Sequence, residues 1–273
     1  MNPRRRLPRR QRFSGQSFNR MLPNLMTLLG LCVGLSSIRF AMNGKFGLAV
    51  IALAVSMVID GLDGRLARIL KATSRFGAEF DSLSDFLCFG IAPALIIYMW
   101  SLAPWGGIGF LPPLMFASAM ALRLARFNAE LDSAPKAAFA YNFFAGVPAP
   151  AGAALALFPL FVGLEADQIH AGWLSALVAF PLFSGAVLVA VALLCVSTLP
   201  VWSFKNFKIP TAGVLPLLLS VVVAAALIFA DPFLAGALLG IGYIAMLPFS
   251  LRSYRKLARQ AEERRAASET VES

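Results

Sequence analysis

Apolar runs of about 20 residues recur from Leu22 to Leu251, the length a helix needs to cross the hydrocarbon core of a bilayer. Eight segments fit, at 22–42, 46–64, 82–101, 106–124, 144–163, 173–195, 212–230 and 232–250. A soluble helix sets an apolar face against a polar one, whereas these are apolar nearly all round. With 59% hydrophobic and 14% charged residues in 273, the chain is too apolar for one or two soluble domains. The expected fold class is all-α: a polytopic membrane helical bundle of about eight transmembrane helices. Only Asp231-Pro232 separates the last two segments, so a seven-span count stays open.

Charge placement orients the bundle. With both termini cytoplasmic, every one of the 24 Lys+Arg except Arg39 and Lys45 falls in an inner loop or a tail. The far loops carry Glu165, Asp167, His170 and Asp231 instead. Lys and Arg gather on the cytoplasmic side of membrane proteins. The expected organisation is a basic tail over 1–20, a membrane domain over 21–250 and a second tail over 251–273. The tails supply most of the +10 net charge. Basic arms also occur in nucleic-acid-binding proteins, but beside a membrane span they fix topology and favour anionic lipid surfaces. Membrane lipids, and no nucleic acid, are the partners this predicts. The first residues do not read as a cleavable signal, because no small-x-small site follows the apolar run. Cys32, Cys88 and Cys195 all fall within spans at spacings without a metal pattern. They read as small core residues.

One stretch breaks the apolar pattern: residues 60–85, DGLDGRLARILKATSRFGAEFDSLSD. Continued as helix from the second span, Asp60, Asp63, Gly64 and Ala67 fall at i, i+3, i+4 and i+7 and share one face. Asp81 and Asp85, at i and i+4, share a face at the start of the third span. A short connection lets the two aspartate pairs converge. Four carboxylates in one small volume repel one another and stay ionised only with cations among them. All-oxygen ligation points to Mg²⁺, Mn²⁺ or Ca²⁺, and no nearby His or Cys argues for zinc. Four aspartates suffice for two ions, a geometry that clamps a phosphoryl group in transfer. Gly64 and Gly77 clear backbone for a polar ligand, and Arg68 and Arg75 complement phosphate charge. The plainer alternative is a cytoplasmic loop with Asp60 and Asp63 paired to Arg65 or Arg68. A transporter would also carry membrane carboxylates, but it predicts acids near mid-membrane and symmetry-related broken helices, and this chain has neither signature.

The stretch fits D-x-x-D-G-x-x-A-R-x8-G-x-x-x-D-x-x-x-D at each fixed position: Asp60, Asp63, Gly64, Ala67, Arg68, Gly77, Asp81 and Asp85. In this it resembles the CDP-alcohol phosphotransferases, integral membrane enzymes built on a six-helix core. They cleave a CDP-linked substrate and pass its phosphoryl-bearing half to an alcohol. The resemblance implies that the first three aspartates hold two divalent cations, Mg²⁺ or Mn²⁺. It implies that Asp85 lies at the metal site and is the general base. It also sets Gly64, Ala67, Arg68, Ser74 and Gly77 near the nucleotide. Pro23-Asn24-Leu25-Met26-Thr27 is similar to a second family motif, which makes Asn24 and Thr27 nucleotide contacts. A homodimer in a bacterial inner membrane, with a cytoplasmic active site, is a further implication.

The core motif does not choose the alcohol. ALRLARFN (121–128), FFAGVPAPAGAA (143–154) and VST…WSFK (196–205) resemble the family branch that uses CDP-diacylglycerol and L-serine. Val147 and Ala149 depart from the Leu and Ser expected of that branch. A serine carboxylate suits an Arg fork, and Arg123 and Arg126 are the forks near the surface. Either Arg alternatively snorkels to the interface. Choline would ask for an aromatic cage, for which Phe127, Tyr141, Phe143 and Phe144 are at hand. A phosphate-bearing acceptor would need further cations, such as Lys205 and Lys208.

Overall fold

A computed structural model describes residues 18–131, 143–202 and 211–272, and they are almost wholly helical. Helices α1 (Phe18–Met42) and α2 (Phe46–Ile69) form an antiparallel hairpin. Small residues let the two backbones approach closely, and Ser56 Oγ donates to Gly30 O across the seam at 2.8 Å. Helix α3 runs from Arg75 to Gly109. It widens into π turns at Phe86–Ile91 and Tyr98–Leu102. The first π turn precedes Pro93, which has no N–H to give, and Ala92 N–H bonds back to Leu87 O in the five-residue step that relieves such a site. Helix α4 (Leu111–Leu131) follows.

Two bent helix pairs come next: α5 (Ala149–Ala156) with α6 (Phe158–Gln168), turned by 44°, and α7 (Gly172–Ala179) with α8 (Pro181–Val196), turned by 57°. Pro159 and Pro181 stand in the first turns of α6 and α8 and interrupt the ladder. Hydroxyls satisfy carbonyls freed at the second break: Ser184 Oγ donates to Val178 O at 2.7 Å and Ser101 Oγ to Ala179 O at 2.8 Å. Backbone groups inside a bilayer must find such partners. The chain then forms α9 (Thr211–Ala230) and α10 (Pro232–Glu272). Asp231 Oδ1 caps α10 by accepting from Phe233 N and Leu234 N at 3.0 and 3.1 Å.

The described chain is thus an all-α polytopic membrane protein. Four helices, Met21–Met42, Phe46–Ile69, Arg75–Gly109 and Pro232–Leu257, are each long and apolar enough to cross a bilayer, and counting each bent pair as one span gives six. Residues Val214–Ala230 form a shorter apolar helix, and Arg123 and Arg126 dilute the apolar character of α4. Phe89, Phe116, Ile96, Ile97, Met120 and Leu188 are fully buried at the centre. The outer faces present Leu215, Val222, Val223 and Phe229, as helices against lipid do. Two readings need correction. Cys88 and Cys195 are buried, but Cys32 is exposed. The fifth segment does not start as helix at 144, because Phe143–Ala145 (β1) pairs antiparallel with Pro200–Trp202 (β2), with Phe144 opposite Val201. Gly146 then turns at φ +78°, a conformation that favours glycine, and Pro148 precedes the first helical residue. Helix α10 continues beyond its apolar part through residues 251–272.

Candidate active site

The reversal between α2 and α3 aims the aspartates at each other. At the end of α2, Ala72 N donates to Ala67 O at 2.9 Å and Lys71 N to Arg68 O at 3.2 Å, with Lys71 at φ 50°. This is a Schellman closure. Ser74 then caps α3, its Oγ accepting from Gly77 N at 3.0 Å. So tight a turn returns α3 along α2, and one carboxylate oxygen from each of Asp60, Asp63 and Asp81 lies within 4.8 Å of the others. Asp85, one turn further on, is within hydrogen-bonding reach of Asp60. Asp63 is only 3% exposed. Thr27 Oγ1 on α1 donates to its Oδ2 at 2.6 Å, with Pro23 O a second acceptor at 3.1 Å.

The cluster is short of donors. Asp81 Oδ1 and Asp85 Oδ1 are buried and have no hydrogen-bond partner among the described residues. Buried carboxylate oxygens left so are expensive, and a bound cation would supply the missing charge. The donor set is all oxygen, which fits a hard divalent ion better than zinc.

A cleft of about 180 Å³ opens beside the cluster, with Asp63 and Asp81 in its wall. Asn24, Thr27, Gly64, Ala67, Ser74 and Gly77 all line it. A Cβ on Gly64 would meet nothing within 4 Å, so this glycine faces open space. Gly77 differs: its Cβ would come within 2.9 Å of Asn24 Oδ1 and 3.1 Å of Ser74 Oγ. Its missing side chain makes room for Asn24 as well as for a ligand. Arg68 and Arg75 are exposed and outside the cleft lining. Arg68 Nε donates to Gly64 O at 3.2 Å, and among the described residues it makes no ion pair with an aspartate.

Helix α4 brings its arginines to the opposite side. Asn128 Nδ2 donates to Ser82 Oγ at 3.0 Å, which ties the end of α4 to α3 beside Asp81. Arg123 is 9% exposed, donates through Nε to Val147 O at 2.6 Å, and lies within electrostatic reach of Asp85. Arg126 is spent differently. It donates to Val196 O at 2.8 Å, Ala145 O at 3.0 Å and Ser197 O at 3.1 Å. It thereby pins the ribbon β1–β2 to the end of α8. Neither residue merely snorkels.

The CDP-alcohol phosphatidyltransferase family matches residues 20–183, a span that holds the aspartates, the cleft and both arginines. This chain belongs to that family. A related family description, CDP-alcohol phosphatidyltransferase 2, matches residues 213–248. A protein of Mycobacterium tuberculosis (strain ATCC 25618 / H37Rv) named CDP-diacylglycerol–serine O-phosphatidyltransferase is 37% identical over 244 residues, 89% of this chain and 82% of the relative. Proteins of the same name from Mycobacterium leprae and Helicobacter pylori (strain ATCC 700392 / 26695) are 36% and 41% identical. They cover 89% and 50% of this chain, and 78% and 55% of their own lengths. The chain is a membrane transferase of phospholipid synthesis.

In this CDP-alcohol phosphatidyltransferase one residue does more than its motif implies, and another lies outside the motifs. Thr27 matches a nucleotide contact, yet its hydroxyl is given to Asp63. Tyr243 of α10 has a buried hydroxyl without a hydrogen-bond partner among the described residues and lies within electrostatic reach of Arg123. A lone Tyr in the apolar run GALLGIGYIAML was the available signal. Of the aromatic residues considered for a cage, Phe143 stacks edge-on against Tyr254 at 5.1 Å and Phe127 is 43% exposed. Tyr141, Lys205 and Lys208 lie outside the described residues.

Proposed function

We propose that this transferase moves the phosphatidyl group of CDP-diacylglycerol onto the hydroxyl of L-serine, releasing CMP and leaving phosphatidylserine in the membrane. The observation that carries this reading is the juxtaposition of orphaned aspartate oxygens with a cleft lined by the motif residues. The names of relatives spanning 89% of the chain support the choice of serine. Asn24, Thr27, Gly64, Ala67, Ser74 and Gly77 receive the cytidine end, with Arg68 and Arg75 at the rim for phosphate charge. Asp60, Asp63, Asp81 and Asp85 hold two divalent cations, Mg²⁺ or Mn²⁺. When bound, these neutralise charge that develops on the phosphoryl and leaving-group oxygens.

Arg123 binds the serine carboxylate, for which a buried guanidinium within electrostatic reach of Asp85 is well suited. Arg126 holds the frame around it. Asp85 accepts the proton of the serine hydroxyl as that oxygen bonds to the phosphorus bearing diacylglycerol. The bond from this phosphorus to the CMP oxygen breaks, and CMP leaves with its electron pair. A carboxylate is a weak base for an alcohol, so the proton moves late. The distribution of Lys and Arg supports eight spans, cytoplasmic termini and an active site on the cytoplasmic face of a bacterial inner membrane. A homodimer is the assembly proposed.

The test is CMP release by purified protein given CDP-diacylglycerol with Mg²⁺ or Mn²⁺. Serine, choline, inositol and glycerol phosphate are added separately. Metal-dependent release stimulated by serine alone, and lost in Asp85→Asn with folding intact, is the expected result. Stimulation by another alcohol overturns the acceptor. No release with any alcohol from folded protein overturns the transfer.

A further inference from the structure

Helix α10 is 41 residues long, about 60 Å at 1.5 Å per residue, twice the hydrocarbon thickness. Its first 20 residues, to Leu251, are apolar. The next two turns carry Arg252, Arg255, Lys256 and Arg259, all exposed, at i, i+3, i+4 and i+7. With Ser250 set at zero and about 100° per residue, these four fall within roughly 60° of the opposite side of the helix. The near side is packed. Ser250 Oγ donates to Pro200 O at 2.7 Å and Tyr254 stacks on Phe143, while Leu257 is half-buried. Contact with β1–β2 thus fixes the roll of α10 just beyond its apolar part and turns four cations outward together. Arg252 lies 5.9 Å from the ring of Phe249, an exposed aromatic of the kind found at a membrane interface.

Orientation in the membrane depends on how many Lys and Arg follow a span, whatever side of the helix they occupy. Segregation onto one exposed face, at headgroup depth, is a further property that a topology signal does not require. We infer that this face is a binding surface for anionic phospholipid headgroups, which gathers acidic lipids along α10. Phosphates offer the complementary charge, and Arg binds them through paired N–H donors. Each basic group at such a surface contributes roughly a fivefold preference for acidic lipid.

The inference is tested independently of the transfer reaction. Full-length protein is placed in nanodiscs of phosphatidylcholine with a rising fraction of phosphatidylglycerol, and the lipids it retains are counted by native mass spectrometry. Wild type should enrich phosphatidylglycerol over phosphatidylcholine. The variant R252Q/R255Q/K256Q/R259Q should lose at least about tenfold of that preference, while R252K/R255K/R259K keeps it and added salt weakens it. If the fourfold variant misinserts, the pairs R252Q/R255Q and K256Q/R259Q carry the test, each losing about the square root of the full preference. Unchanged enrichment in the Gln variants, or none in wild type, overturns the inference. Binding of a soluble polyanion in pure phosphatidylcholine without preference for phosphatidylglycerol also overturns it, in favour of an acidic soluble partner.

Discussion

Arg123 and Arg126 stand one helical turn apart, yet replacing them should have opposite signatures, and Arg126→Ala shows why. The substitution deletes three hydrogen bonds to Val196 O, Ala145 O and Ser197 O. Bonds from a charged donor contribute about 1.5–3 kcal/mol each. The one to Val196 is exposed and is discounted, which leaves roughly 3 kcal/mol in all. Gly146 adds to the loss, since its left-handed turn sits against Ser197 O, Cys195 O and Arg126 Nη2. For a domain of this size about 3 kcal/mol lowers Tm by roughly 6–12 °C. Thermal unfolding in detergent, followed by the loss of a monodisperse peak, reads the shift. Arg126→Lys reaches only one carbonyl and should recover less than half of it. If Arg126→Ala melts like wild type and raises only the KM for serine, the pin assignment is wrong and Arg126 binds the acceptor.

Thr27→Val keeps shape but removes the 2.6 Å bond to buried Asp63; at about 1.5–3 kcal/mol this should lower kcat/KM roughly 10–100-fold, and unaltered kinetics would refute the role. Gly64→Ala should keep Tm and raise the KM for CDP-diacylglycerol severalfold, because its methyl enters open cleft space. Gly77→Ala should instead lower stability by about 1–3 kcal/mol through overpacking on Asn24; a thermal melt separates the two glycines. Saturating Mn²⁺ should raise the melting temperature, by the equivalent of about 2.7 kcal/mol at 100 times Kd. Asp60→Asn, Asp63→Asn and Asp81→Asn should each abolish that rise, and a wild-type melt indifferent to Mn²⁺, Mg²⁺ and chelator would count against a metal centre.

The aspartate cluster was legible because its order is local. Helical spacing fixes the faces of Asp60, Asp63, Asp81 and Asp85, and a five-residue connection leaves little choice about how they meet. The arginines were not separable, since i and i+3 on one helix look alike until segments 20 and 70 residues downstream supply the carbonyls. The ribbon β1–β2 was hidden by its size, three residues per strand inside an apolar region. Pro159 and Pro181 announced the bends, but hydropathy averaged over 20 residues smooths such breaks away. The continuation of α10 through 251–272 was readable in its Arg, Ala, Glu and Leu, which are strong helix formers. Nothing in the sequence of α1 marks which of its residues meet lipid, and Cys32 was misplaced for that reason.

The pin made by Arg126 also sets a chronology. Everything around the carboxylates, from Pro23 to Asp85, is contiguous in the chain and can assemble soon after the ribosome has delivered it. The opposite wall draws on Arg123, then on Ala145 to Val147, then on Val196 to Trp202, and finally on Ser250 and Tyr254 of α10. At about 5–20 residues per second, the nascent protein passes on the order of ten seconds with its acidic half built and its basic half unmade. Inheritance can act on the two halves separately, because a change made late in the chain alters what faces the aspartates without disturbing how they were first brought together.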